Sequence, residues 1–122
     1  MALKHAGCSD VNVFEMEGEG GHSAGAHHET KNSAYGLGLS NLIYMLDWND
    51  FGIDPTPHSA VVYGTPQSWF ETYGFKVVGT EQGNDFEGVV PALFEGTFGD
   101  NPARAPRCVW FKTTKGRGYG VT

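Results

Sequence analysis

Two short acidic segments have the residue types and spacing to handle a metal-bound phosphate. Glu17-Gly18-Glu19 follows one strand-like stretch, and Asp47-Trp48-Asn49-Asp50 follows the next. Magnesium serving a diphosphate takes one or two protein oxygens and fills its octahedron with phosphate and water. An acidic residue after one strand and an amide oxygen after the adjacent strand supply that set. Glycine between them lets a diphosphate approach the backbone, and the N–H groups at the following helix start favour its charge. The same residues equally suit a solvated turn, because acidic turns at strand ends are common.

Other reactive side chains point less clearly to chemistry. His22, His27 and His28 lie in the run GHSAGAHHE. Zinc ligands on a helix sit three or four residues apart on one face. Adjacent side chains point about 100° apart, so His27 and His28 are not expected to share an ion with Glu29. Histidines that are neutral, or donate hydrogen bonds beside a diphosphate, fit better. His5 and His58 read as surface residues. Cys8 and Cys108 have no His or Asp at a nucleophile's spacing, and Cys108 falls inside a strand, as a buried inert thiol does. Lys112 and Lys115 suit either a phosphate contact or a solvated strand end. Trp48, Trp69 and Trp110 read as core or interface aromatics.

Those residues need a scaffold that brings strand ends together. Val11 to Met16 alternates apolar and polar residues and runs into Gly18, Gly20 and Gly21, which predicts a strand ending in a tight turn. Ala26 to Gly36 predicts a helix stopped by Gly36 and Gly38. The mostly apolar Leu39 to Leu46 predicts a parallel strand covered on both faces, and Asp47 to Pro57 a loop. Thr65-Pro66 resembles an N-cap with Pro at the first helical position, opening a helix to Tyr73. Phe75 to Gly79 predicts a strand. Asn84 or Asp85 caps a helix to about Phe94, which Pro91 should disturb. Gly99 to Pro106 reads as a loop and Arg107 to Thr113 as the last strand. This order predicts an α/β fold, with a mainly parallel sheet in three layers. Such sheets bind ligands outside the carboxyl ends of their strands.

Composition bounds the reading further. The chain has 122 residues, 39% hydrophobic and 13% aromatic, which suits one domain spanning 1–122 with a core of its own. With 8 Lys plus Arg and a formal net charge of −6, a nucleic-acid partner is not expected. Two cysteines do not make a disulfide framework. Met1 to Ala6 has no apolar leader core, and the longest apolar run, Leu42 to Leu46, is far short of a membrane span. A cytoplasmic chain without a membrane partner is the expectation.

In order along the chain, several segments resemble the transketolase family. Met16-Glu17-Gly18-Glu19 is similar to its Gly-Asp-Gly-Glu turn. Glu29 matches a helix glutamate, Leu39-Ser40-Asn41-Leu42 a Leu-x-Asn-Leu strand, and Asp47-Trp48-Asn49 an Asp-x-Asn loop. Tyr73 to Val77 resembles a Gly-aromatic-x-Val strand, Gly83-Asn84-Asp85 a Gly-x-Asp helix start, and Lys112 to Gly118 a Lys-Thr-x-Lys-Gly-x-Gly segment. Two departures stand out. Met16 and Glu17 replace Gly and Asp, and the segment from Glu19 to Glu29 runs two residues long.

The resemblance implies the second half of a thiamine-diphosphate-binding domain that holds thiamine diphosphate and magnesium. It implies metal ligation by Glu17, by the Asn49 side chain and by the Phe51 carbonyl. It also implies cofactor-binding roles for Gly18, Glu19, Glu29 and Asn49, with Glu29 near a subunit interface and coupling paired sites. In the family the cofactor lies across a dimer interface, and the partner's pyrimidine-binding domain supplies an activating glutamate. No residue here matches that role, so catalysis by the chain alone is not expected. Three readings follow: a catalytically silent half-domain, one chain of a split ketol-transferring enzyme completed by a complementary chain, or an α/β interaction module. A half sheet exposes an unpaired edge and apolar faces, so a homo-oligomer is expected.

Overall fold

In the computed structural model, which describes residues 1–120, four strands alternate with helices. A four-residue helix α1 (Ala2–His5) precedes β1 (Val13–Gly18), a 3-10 turn (Glu19–Ser23), α2 (Gly25–Gly36) and β2 (Leu42–Trp48). A second 3-10 turn (His58–Ala60), α3 (Pro66–Glu71), β3 (Lys76–Thr80), α4 (Phe86–Phe98) and β4 (Arg107–Lys112) follow. Every pairing is parallel and the sheet order is β1-β2-β4-β3. The steps from β1 to β2 and from β2 to β3 run the same way across the sheet, and the step from β3 to β4 runs back. Right-handed crossovers therefore place α2 and α3 on one face and α4 on the other.

The core follows this arrangement. Ala34 of α2 and Phe70 of α3 pack with Tyr44, Leu46, Phe75 and Cys108. On the opposite face Ala92 of α4 packs with Ile43 and Val109. The fold is thus three-layer α/β, as the element order predicts. α4 lies over β3 and β4, and Phe14 and Met16 of the edge strand β1 stay 49% and 79% exposed. Among the described residues no helix is long and apolar enough to cross a membrane.

Local chemistry explains most boundaries. Thr65 caps α3 by accepting from the Ser68 N–H at 3.3 Å, and the Ser68 hydroxyl accepts from the Thr65 N–H at 2.9 Å. This is a reciprocal capping pair with Pro66 in the first turn. α4 runs through Pro91 to Phe98 instead of stopping near Phe94. Pro91 is exposed, so its ring needs no room in the core and the missing N–H removes a single helical bond.

Both site-bearing strands lie later in the chain than the sequence predicts. β1 covers Val13–Gly18 rather than Val11 to Met16, and β2 covers Leu42–Trp48 rather than Leu39 to Leu46. Gly38, at φ +59°, and the turn bonds Ser40 N–H to Gly38 C=O and Leu42 N–H to Leu39 C=O keep Leu39 to Asn41 out of the sheet. Asn41 ties down the entry to β1 by donating to the Val11 carbonyl at 2.9 Å. The shift decides where the acidic side chains point. Glu15 and Glu17 register with Tyr44 and Leu46, so they share the α2/α3 face, and Met16 and Gly18 take the other. His58, expected at the surface, is buried instead. Its ring packs edge-on against Trp48 and Trp69, since the 3-10 turn folds the loop back onto the sheet end.

Phe70 is fully buried and touches rings from four other segments, including His22, His27, Tyr44 and Phe75. Phe70→Ala should cost about 3–5 kcal/mol of unfolding free energy. Chemical denaturation measures this, and a loss below about 1 kcal/mol would place the core elsewhere.

Candidate functional site

The carboxyl ends of β1, β2 and β4 meet at one end of the sheet, where a cleft of about 630 Å³ opens. Glu17, Gly18, Asp47, Asn49, Asn84, Thr113, Lys115 and Arg117 line its polar part, and Glu19 lies behind this lining. The Asp47 carboxylate joins the two exit loops, accepting from the Thr113 hydroxyl and, at 3.0 Å, from the Asn49 amide. Asn49 Oδ1 accepts the Phe51 N–H at 2.9 Å, closing an Asx turn. Asp50, at φ +68°, accepts from the Ser59 N–H and hydroxyl at 2.8 and 2.9 Å. Those bonds, the N–H foremost, hold its carboxyl below the usual range. The Phe51 carbonyl accepts from the Lys115 ammonium at 3.1 Å.

The two glutamates flanking Gly18 go to different places. Glu19 opens the 3-10 turn and is 1% exposed, and neither of its oxygens has a hydrogen-bond partner among the described residues. Burial pushes its carboxyl up to about 7. The Asn49 backbone N–H opposes the rise without reaching hydrogen-bond geometry. Asp50 and Asp47 add to the rise, and Lys112 counters it. Glu19 therefore faces the Asn49 loop. Glu17 turns to the α2 side, where Oε2 lies 3.2 Å from His27 Nδ1. Burial raises its carboxyl and Lys31 opposes that. Glu29 is exposed on α2 and joins neither group.

Glu17 meets a pair of buried histidines. His22 Nδ1 and His27 Nε2 are 2.7 Å apart. Burial, with neighbouring positive groups second, lowers His22 to about 3 and His27 to about 4, so both rings are neutral. The hydrogen-bond chain then assigns the tautomers. His27 Nδ1–H donates to Glu17, its Nε2 accepts from His22 Nδ1–H, and His22 Nε2 is left buried with no partner among the described residues. His28 lies apart and meets the Tyr73 hydroxyl at 3.0 Å.

Sequence reasoning missed this group because its members come from β1, the 3-10 turn and α2, and no fixed spacing links them. It also missed Lys31. The Lys31 side chain is 1% exposed, donates to the Trp69 carbonyl at 3.1 Å and lies over the Phe70 and Tyr73 rings. Cys108 is the buried thiol expected, and burial pushes its pKa up. Lys112 lies 5.0 Å over the Trp48 ring, and Lys115 lines the cleft.

Comparison with known proteins gives a consistent picture. Residues 3–121 match the family described as transketolase, thiamine diphosphate binding domain. A transketolase of Physarum polycephalum is 28% identical over 123 residues, which is 97% of this chain and 18% of that protein. The crystal structure of transketolase from Campylobacter jejuni subsp. jejuni NCTC 11168 superposes with a TM-score of 0.74 at 26% identity, covering 90% of this chain and 17% of that one. Transketolase from Leishmania mexicana gives 0.73 at 25% identity, covering 84% and 15%. The chain thus spans less than a fifth of the length of these relatives.

The histidine pair makes the stability pH-dependent with a defined sign. Its folded pKa values lie below the unfolded 6.5, so the unfolded chain takes up these protons first. The contribution is complete above pH 6.5 and is lost as pH falls toward 4 and then 3. Glu15 and Glu19, both raised to about 7, act in the opposite sense above their unfolded 4.5, so a variant comparison is needed to isolate the histidines. His22→Gln should lose less stability than the wild type between pH 6.5 and 4, measured by thermal unfolding. Parallel curves would contradict the assignment.

Proposed function

Because the chain belongs to the transketolase family through its thiamine-diphosphate-binding domain, we propose that its cleft holds the diphosphate end of thiamine diphosphate with a magnesium ion. The observation that carries this reading is Glu19. Its carboxylate is buried and unpartnered among the described residues, and it faces the Asn49 loop. A lone carboxylate beside Asp47 and Asp50 is costly without a counter-charge, and a divalent ion supplies one. The donor set also suits magnesium, being a carboxylate, an amide oxygen with a free lone pair, and the Phe51 carbonyl. Lys115 already brings a positive charge to that carbonyl. Lys115 and Arg117 at the rim are the basic groups for phosphate oxygens, and Gly18 keeps the β1 end open for their approach.

In this reading Glu19, not Glu17, is the metal-side carboxylate. Aligning Gly18-Glu19-Gly20 with the family's Gly-Asp-Gly also removes the two surplus residues before Glu29. Glu17 remains with the histidines.

When bound, thiamine diphosphate supplies the electron-sink chemistry of ketol transfer. The residues described here bind and orient its phosphates and contribute no acid or base to the reacting carbon. We assign them binding without turnover on their own. A second chain, either a copy or a complementary transketolase segment, would cover Phe14 and Met16 and complete the site.

Titration calorimetry with thiamine diphosphate should show binding only when magnesium is present. For the diphosphate contacts of this cleft alone, a Kd no tighter than about 0.1 mM is expected. Glu19→Gln and Asn49→Ala should each weaken it about tenfold, with Glu17→Gln changing it less. Metal-independent binding, or binding indifferent to Glu19 and Asn49, would refute the site.

A further inference from the structure

We propose that Glu17, His22 and His27 form a binding site for a borderline divalent transition-metal ion of the zinc class. The inference does not rest on the diphosphate reading, since it uses none of the Glu19–Asn49 group.

One ligand-type atom from each of the three residues lies within 4.8 Å of the others. The set combines two imidazoles with a carboxylate. Such donors suit Zn²⁺, Co²⁺ or Ni²⁺, whereas magnesium takes oxygen. Both imidazoles are buried and neutral, and only a neutral imidazole offers a lone pair to a metal.

The surroundings hold the donors in place. The His22 ring packs on Trp69 and Phe70, and the His27 ring on Tyr44 and Phe70. Gly21 provides the space for the carboxylate, because a Cβ there would overlap the Glu17 side-chain oxygen. The Glu17 side chain is 22% exposed, which leaves the cluster a route to solvent and a position for water as the fourth ligand.

Binding changes the pair in a defined way. Two nitrogens on one tetrahedral ion lie about 3.3 Å apart, from Zn–N bonds of ~2.0 Å. His22 Nδ1 and His27 Nε2 are 2.7 Å apart. The ion therefore replaces their hydrogen bond, and the rings part by about 0.6 Å. One ring nitrogen must give up its proton or pass it to the other nitrogen of the same ring. Lys31 opposes the ion, being near enough to lower His27, and Glu17 counters that charge.

The test uses the full chain with Zn²⁺ or Co²⁺ alone. Calorimetry should show one Zn²⁺ per chain, and Zn²⁺ should raise the Tm. Co²⁺ should give the visible absorption of a tetrahedral site. His22→Gln, His27→Gln and Glu17→Gln should each weaken binding at least tenfold, and Asn49→Ala should leave it within twofold. X-ray absorption on the zinc-loaded wild type should show two imidazoles in the first shell, a result that stands even if a variant fails to fold. A shell without two imidazoles, binding undiminished in both histidine variants, or no binding at millimolar Zn²⁺ overturns the site.

Discussion

The parallel register between β1 and its neighbour governs what this chain can do. Gly18 stands opposite Asp47, and Trp48 opposite Lys112 on the next strand, so three strands end level with one another. Everything in the cleft inherits its place from that alignment. Asp47 reaches Thr113 across two exit loops, and Lys115 reaches the Phe51 carbonyl. A slip of one residue in β1 would exchange its faces, turning Glu17 away from His27 and Met16 toward the aromatic core. The core in turn enforces the register. Tyr44, Leu46 and Cys108 pack under Phe70 and Phe75, which fixes the faces of β2 and β4 against which β1 is aligned.

The same layout explains an unusual amount of buried polarity in a small domain. Glu19, His22, His27 and Lys31 are all buried. Each group answers burial by moving toward its neutral form: the carboxylate upward, the histidines and the lysine downward. Such groups weaken a fold unless something compensates them. The histidines and Lys31 are compensated internally, by the Glu17 chain, the Trp69 carbonyl and the aromatic faces. Glu19 is not, since neither of its oxygens has a hydrogen-bond partner among the described residues.

Much of this was legible before any coordinates. Gly and Pro punctuation, the Thr65-Pro66 start of α3 and the alternation of strands and helices identify the layers, because these signals act within a few residues. The loop after β2 was readable for the same reason, although the strand runs on through Asp47 and Trp48. The bounds of β1 were not. Val11 and Val13 both fit an alternating strand, and a hydrogen bond from Asn41, thirty positions away in sequence, decides which residue starts it. The strand also runs on to Gly18, so that Glu17 lies within β1 and Glu19 opens the 3-10 turn. His58 was misread as a surface group because its burial depends on Trp48 and Trp69 meeting above it. The Glu17–His22–His27 group depends on a 3-10 turn between strand and helix that leaves no periodic trace in the sequence.

The central claim is that the buried Glu19 carboxylate and Asn49 hold the cation that accompanies a diphosphate. Crystals grown with thiamine diphosphate and Mn²⁺ test it directly through the manganese anomalous signal. A peak bonded to a Glu19 oxygen and to Asn49 Oδ1, beside the diphosphate, is the expected result. A peak bonded to Glu17 with Glu19 still unpartnered, or a bound diphosphate with no peak at Glu19, would contradict the account.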